Sequence, residues 1–240
     1  MPRIYLPIVD PKENRISLKG ENAHYLTSVL RCREGDDLVV FDGAGNCFMT
    51  SLITCDRKEV IAEVMERFSC NIESPLNITL VQGILKGEKM DMIIQKTTEL
   101  GVREIVPAIT GRSQIKETRK IDRWRKIAEE ASRQSGRSVV PLLYEPVEFK
   151  DVFSIHSSPR GFIFYEEGGM SLSDVFPSLT PRPVSLLTVI GPEGGFTKEE
   201  VNLAKEKGLE VASLGRRILR AETAAISAVT LVQFLFGDMG

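Results

Sequence analysis

The 240-residue chain carries 31 Lys+Arg against 33 Asp+Glu, a net charge of −2. That count argues against a nucleic-acid partner, except where a basic face sits opposite an acidic one. A composition 42% hydrophobic and 27% charged excludes disorder for most of the chain, and the length suits one large domain or two unequal ones.

Residues 1–30 show no basic stretch followed by an apolar core, so no secretory leader is expected. Up to about residue 71 the chain reads as short strands at 3–6, 37–41, 48–53 and 59–66, rich in Val, Ile, Leu or Phe and bounded by turn residues. A helix at 21–30 interrupts them, and Arg31-Cys32-Arg33 leads out of it. Asp42-Gly43-Ala44-Gly45-Asn46 predicts a hairpin loop, because its glycines can take a positive φ. A small β-barrel-like domain over residues 1–72 fits this texture. Its cysteines, Cys32, Cys47, Cys55 and Cys70, form no C-x-x-C pair. With only His24 and His156 beside them no zinc pattern can be assembled, so free thiols and no metal are expected.

From residue 73 onward strands and helices alternate. Apolar runs at 76–81, 104–108, 161–165, 184–190 and 210–212 predict strands buried on both faces, and helical patterns fall at 88–100, 121–135, 198–207 and 221–236. This alternation predicts an α/β domain with a mostly parallel sheet over residues 73–240. Gly101 suits a helix C-cap, and Thr197-Lys198-Glu199-Glu200 a capping box. The longest apolar stretch, near 226–236, is shorter than the roughly 20 residues a membrane span needs, so a cytoplasmic protein with no membrane partner is expected.

No G-x-G-x-x-G follows a strand, no P-loop is present, and the two histidines lie in no catalytic motif. The stretch Ile190-Gly191-Pro192-Glu193-Gly194-Gly195-Phe196 carries more information, since a buried strand ends there in a glycine-rich loop before a helix. Loops at the carboxyl ends of parallel strands are where ligands bind, although a tight connection without a ligand would read the same way. Glu193 would be favoured near a helix N-terminus whatever its role. Residues 214–225, LGRRILRAETAA, repeat the pattern and set Arg220 and Glu222 at a helix start. There Arg220 could hold a phosphate or an oxyanion, and Glu222 could act as a base or as a capping carboxylate. Ala221, Ala224, Ala225 and Ala228 form a small-residue stripe that reads as core or as a subunit interface. Between Arg112 and Arg137 nine basic residues stand against four acids, opposite in sign to the whole chain. Ile121, Trp124, Ile127, Ala128 and Ala131 supply the apolar face of that segment, so its charges form either a solvated face or a phosphate-backbone footprint.

Together GPEGGF at 191–196, LGRRILRAETAA, KGEKMDMIIQKTTELGV at 86–102 and SRQSGR at 132–137 resemble the RsmE family, the ribosomal RNA small subunit methyltransferases E. The resemblance implies a SPOUT-type trefoil-knotted methyltransferase domain, an N-terminal PUA-like β-barrel and a homodimer. It also implies methyl transfer from S-adenosyl-L-methionine to N3 of a uridine in the 16S rRNA of the small ribosomal subunit. The knot is not readable from local pattern, since threaded connections are rare. The cofactor positions it implies are Phe164, Tyr165 and Glu166 in one loop, Ile190, Gly191, Pro192, Glu193 and Gly195 in a second, and Leu214, Gly215, Ile218 and Leu219 in a third. Arg220 and Glu222 become the catalytic candidates, and Arg31, Arg33, Arg112, Arg133 and Arg137 the candidate rRNA contacts. A 2′-O-methyltransferase of the same class would share the cofactor loops. A non-catalytic RNA-binding protein would keep the basic face, and a small-molecule enzyme could use the 191–195 loop as an anion nest.

Overall fold

The computed structural model describes the chain except residues 8, 10–12, 71, 116, 157–159 and 176–182, with the backbone alone at 173 and 175. Lys116 of the basic segment therefore lies outside the described residues. Two compact units are present, one built from Met1–Glu73 with Ser132–Val140, the other from Ser74–Ala131 with Pro141–Gly240.

The first unit holds β1 (Arg3–Tyr5), β2 (Arg15–Lys19), a short helix α1 (Glu21–His24) that continues as a π-helical turn over Tyr25–Val29, β3 (Asp37–Phe41), β4 (Asn46–Cys55) and β5 (Glu59–Ser69). They form one sheet in the order β1-β3-β4-β5-β2, antiparallel except for β1 on β3. Alternation of buried and exposed residues along β2 fits a sheet with one wet face, and its inner residues Ile16 and Leu18 join Val40, Phe48 and Val60 in the core. Register shifts at Met49/Thr50 and Leu52/Thr54 act as bulges that bend the sheet and increase its twist. The expected loop at 42–46 carries Gly43 at φ 77° and Gly45 at φ 113°, and Asp42 accepts from the N–H groups of Ala44 and Asn46. Residues 132–140 join this unit through backbone bonds from Gly45 N–H to the Ser138 carbonyl and from Val140 N–H to the Gly43 carbonyl.

The second unit contains β6 (Asn77–Gly83), α2 (Lys89–Glu99), β7 (Glu104–Ile109), α3 (Ile121–Ser135, its last turn in the first unit), β8 (Leu142–Leu143) and β9 (Val147–Glu148). A 3-10 turn over Phe149–Asp151 leads to α4 (Val152–Ile155), followed by β10 (Gly161–Phe164), β11 (Met170–Ser171), α5 (Leu172–Val175), β12 (Ser185–Ile190), α6 (Lys198–Glu206), β13 (Glu210–Ser213) and α7 (Ala221–Phe236). The sheet order is β11-β13-β10-β12-β6-β7-β8, with β9 also on β7, and every recorded pairing is parallel. Its central strands are apolar nearly throughout because helices cover both faces. Ala225 and Ala228 of the alanine stripe are fully buried, so that stripe packs mainly into this chain's own core. The α7 side chain of Gln233 is also buried, donating to the Leu100 carbonyl and accepting from the Ser74 hydroxyl, which ties α7 to the end of α2. Parallel strands bring their carboxyl ends to one edge, and the loops after β10, β12 and β13 meet there.

Candidate active site

The loop after β12 is shaped by its glycines. At Gly191 a Cβ would press on the Phe196 ring at 3.2 Å and on the backbone of Gly195. Gly195 sits at φ +66°, its N–H bonded to the Pro192 carbonyl at 2.9 Å, and a Cβ there would collide with the Glu166 carboxylate of the loop after β10. Only glycine permits that turn and that approach together. Phe196 is buried against Phe149, with ring centroids 5.3 Å apart, and so pins the loop to the core. The expected capping box is present: the Thr197 hydroxyl accepts from Glu200 N–H at 3.2 Å, and the Glu200 carboxylate accepts from Thr197 N–H at 2.8 Å. Its other oxygen takes the Gly111 N–H at 2.7 Å, linking the start of α6 to the loop after β7.

Two further ties hold the same loop. Glu193 accepts from the Lys89 ammonium at 2.9 Å and from Lys86 N–H at 3.4 Å, and Arg112 donates to the Gly194 carbonyl at 2.9 Å. Burial pulls the Glu193 pKa upward, but the Lys89 ammonium, its own N–H and the Lys86 N–H outweigh it, so the carboxyl lies below its ordinary value. Beneath the loop, the buried Gln82 amide donates to the carbonyls of Gly83 and Gly191, at 2.9 and 3.3 Å.

The third loop turns at Gly215, φ +101°, where the Ser213 hydroxyl accepts from Gly215 N–H and donates to its carbonyl. Arg220 is the N-cap of α7 and is exposed, and Glu222 in the first turn keeps one carboxylate oxygen, Oε2, buried without a hydrogen-bond partner among the described residues. In the loop after β10 Phe164 is buried, and the half-buried Tyr165 donates to Glu167 at 3.1 Å. Burial first, then that carboxylate, raises the Tyr165 pKa.

All twelve residues named from sequence for the cofactor, with Arg220 and Glu222, line one cavity of about 410 Å³. Lys89, Phe196, Ser213, Arg216, Arg217, Ala221 and Ala224 line it too. Sequence reasoning gave none of these a cofactor role, although Lys89 falls inside the KGEKM motif, the two arginines inside LGRRILR, and Ala221 and Ala224 in the small-residue stripe.

The basic candidates are not brought together in this way. Arg112 stands beside the cavity, its guanidinium engaged on Gly194. In the first unit Arg31, at φ 57°, and Arg33 are exposed, while Arg133 lies over the Tyr25 ring at 4.3 Å. Arg137 requires correction: its side chain is only 5% exposed and paired with Glu73 at 2.7 Å, so it is a structural cation and not a surface contact. The basic face of α3 is also partly neutralised, Arg123 by Asp91 and Arg125 by Asp122 and Glu145. Among the described residues no cluster could hold a metal, and no helix is long and apolar enough to cross a membrane.

Residues 72–233 match the family described as an RNA methyltransferase domain, and residues 18–65 match an RNA methyltransferase PUA domain. Fold and family matches thus define a SPOUT-type α/β methyltransferase domain preceded by a PUA domain. The chain is 34% identical to ribosomal RNA small subunit methyltransferase E of Buchnera aphidicola from Acyrthosiphon pisum, over 99% of this chain and 95% of that protein. It is 34% identical to the Bacillus subtilis enzyme of the same name over 91% of this chain and 89% of the relative. The Neisseria gonorrhoeae methyltransferase E crystallised with S-adenosyl methionine superposes with a TM-score of 0.90 at 33% identity, covering 100% of both chains. A Legionella pneumophila methyltransferase in complex with the same cofactor gives 0.89 at 35% identity, covering 98% of each. The chain belongs to the family of ribosomal RNA small subunit methyltransferases E.

Proposed function

We propose that this chain methylates N3 of a uridine in 16S rRNA of the small ribosomal subunit, using S-adenosyl-L-methionine as donor. The observation that carries the reading is the convergence of three strand-end loops, with Arg220 and Glu222, on one cavity. Its volume of about 410 Å³ lies within the rough 300–1,000 Å³ of small-ligand sites. The donor set also fits. Glycines at 191, 195 and 215 leave backbone amide groups approachable by an adenine, and the apolar side chains of Ile190, Leu214 and Leu219 line the same cavity.

S-adenosylmethionine, when bound, supplies an electrophilic methyl group on a sulfonium. Uracil N3 carries a proton and becomes a competent nucleophile only as that proton leaves. The Glu222 carboxylate, which lines the cavity, is the group that accepts it in this reading. The Arg220 guanidinium at the rim stabilises the negative charge that spreads onto O2 and O4 of the uracil. The ties on residues 193 and 194 keep the loop in one conformation, so that orientation contributes to the rate.

Arg31 and Arg33 of the barrel are the exposed rRNA contacts in this reading, and a ribosomal substrate implies a cytoplasmic enzyme. The working species is a homodimer. Leu231 and Phe234 of α7, 39% and 57% exposed, offer apolar surface for a second copy. Incubating the protein with methyl-labelled S-adenosylmethionine and small subunits that lack the modification tests the reading. Label entering 16S rRNA is expected, and binding of subunits without transfer would favour a non-catalytic RNA-binding protein.

A further inference from the structure

Ile218 is the most exposed large apolar side chain among the described residues, at 88%. Singly exposed apolar residues are ordinary, so exposure alone means little. Its position is what matters. Ile218 lies on the rim of the 410 Å³ cavity, in a loop held at one end by the Ser213–Gly215 hydrogen bonds and at the other by the start of α7. Three exposed arginines, Arg216, Arg217 and Arg220, surround it, and the described residues give none of them an ion pair. An apolar tip inside an uncompensated cationic collar complements a nucleic acid, whose phosphates meet the arginines while its bases meet the tip.

We infer that Ile218 is a wedge that takes the place of the target base when the base leaves its stack to enter the cavity. This rests on the proposed base methylation, because N3 lies on the Watson–Crick edge and is reachable only after unpairing or unstacking. Residue 218 then has two separate duties. Residue 218 lines the cavity, and its largely exposed side chain is the part that meets the RNA in this inference. Arg216 and Arg217 hold the flanking phosphates while the isoleucine covers the exposed faces of the neighbouring bases.

The test uses the full-length protein and its Ile218→Ala and Ile218→Leu variants, with small subunits lacking the modification. A second substrate is an RNA duplex carrying 2-aminopurine beside the target uridine. Turnover of Ile218→Ala should fall by at least about tenfold, with the 2-aminopurine fluorescence rise lost and Ile218→Leu largely restoring both. Calorimetric affinity for S-adenosylmethionine and the mass by light scattering should stay unchanged. Unaltered turnover in Ile218→Ala would overturn the inference. A parallel loss of cofactor affinity would overturn it too, by making the side chain a cofactor contact, and a change in mass would make it a subunit contact. Wild-type protein that transfers no methyl group would remove the underlying reading, and this inference with it.

Discussion

Arginines that look alike in the sequence do different work. Arg137 sits in a run that reads as basic surface, yet its guanidinium is buried and bridges to Glu73, which also accepts from the N–H groups of Ser138 and Val139. Removing one partner of a buried pair strands the other, so Arg137→Ala should cost about 3–5 kcal/mol in denaturant unfolding and show up as lost stability ahead of lost RNA affinity. A variant of wild-type stability that bound RNA weakly would restore Arg137 to the RNA surface. Arg220 is the opposite case, exposed at the cavity rim, its side chain in no ion pair among the described residues. Arg220→Ala should lower turnover about 10²–10³-fold, the scale of losing one oxyanion donor, with cofactor affinity nearly intact. Wild-type turnover would sink its assignment. The sequence could nominate both residues but not separate them, because Glu73 and Arg137 lie 64 positions apart and only the folded chain brings them together.

Among the elements, local signals served best where local physics decides. The capping box at Thr197 and Glu200 and the bounds of α3 and α7 follow from side-chain chemistry and helical periodicity, and both are as expected. The two-residue strands β8, β9 and β11 carry no such signal, since each exists only by pairing with a longer strand. β2 gives little sequence signal because the alternation in RISLK is short and two of its three outward positions are charged. The expected helix at 21–30 becomes π-helical from Tyr25, a change of hydrogen-bond register that apolar spacing does not report. The assignment of residues 132–140 to an element of the first unit is likewise tertiary, resting on Glu73, Gly43 and Gly45. In the loop after β12, Lys89 and Glu193 act as a pH-sensitive tie. The Glu193 pKa is depressed on folding, so its stabilisation is complete above the ordinary value of 4.5 and is lost as pH falls through the lower folded value. Cofactor affinity measured by calorimetry should therefore drop on acidification in that window, and Glu193→Gln should weaken binding at neutral pH and flatten the acid limb. An acid limb identical in both proteins would exclude the tie.

Across the molecule the net charge of −2 conceals an uneven distribution. Nine basic residues between Arg112 and Arg137 promised a wide cationic face, but Asp91, Glu145 and Glu73, distant in sequence, neutralise part of it. Arg216, Arg217 and Arg220 line the cavity and are exposed, and Arg31 and Arg33 are exposed in the first unit. A footprint of about five phosphates gives an expected slope of log affinity against log salt near −3.5 to −4.5, the range between single-stranded and duplex nucleic acid. Titrations of small-subunit RNA over a range of salt measure it, and a slope near −8 would mean that the whole basic segment is engaged. The decisive observation is the chemical position of the methyl group. Small subunits lacking the modification, treated with this protein and labelled S-adenosylmethionine, should on digestion and mass spectrometry yield 3-methyluridine as the labelled nucleoside of 16S rRNA. Label on a ribose 2′-oxygen, on another base, or on none would contradict the account.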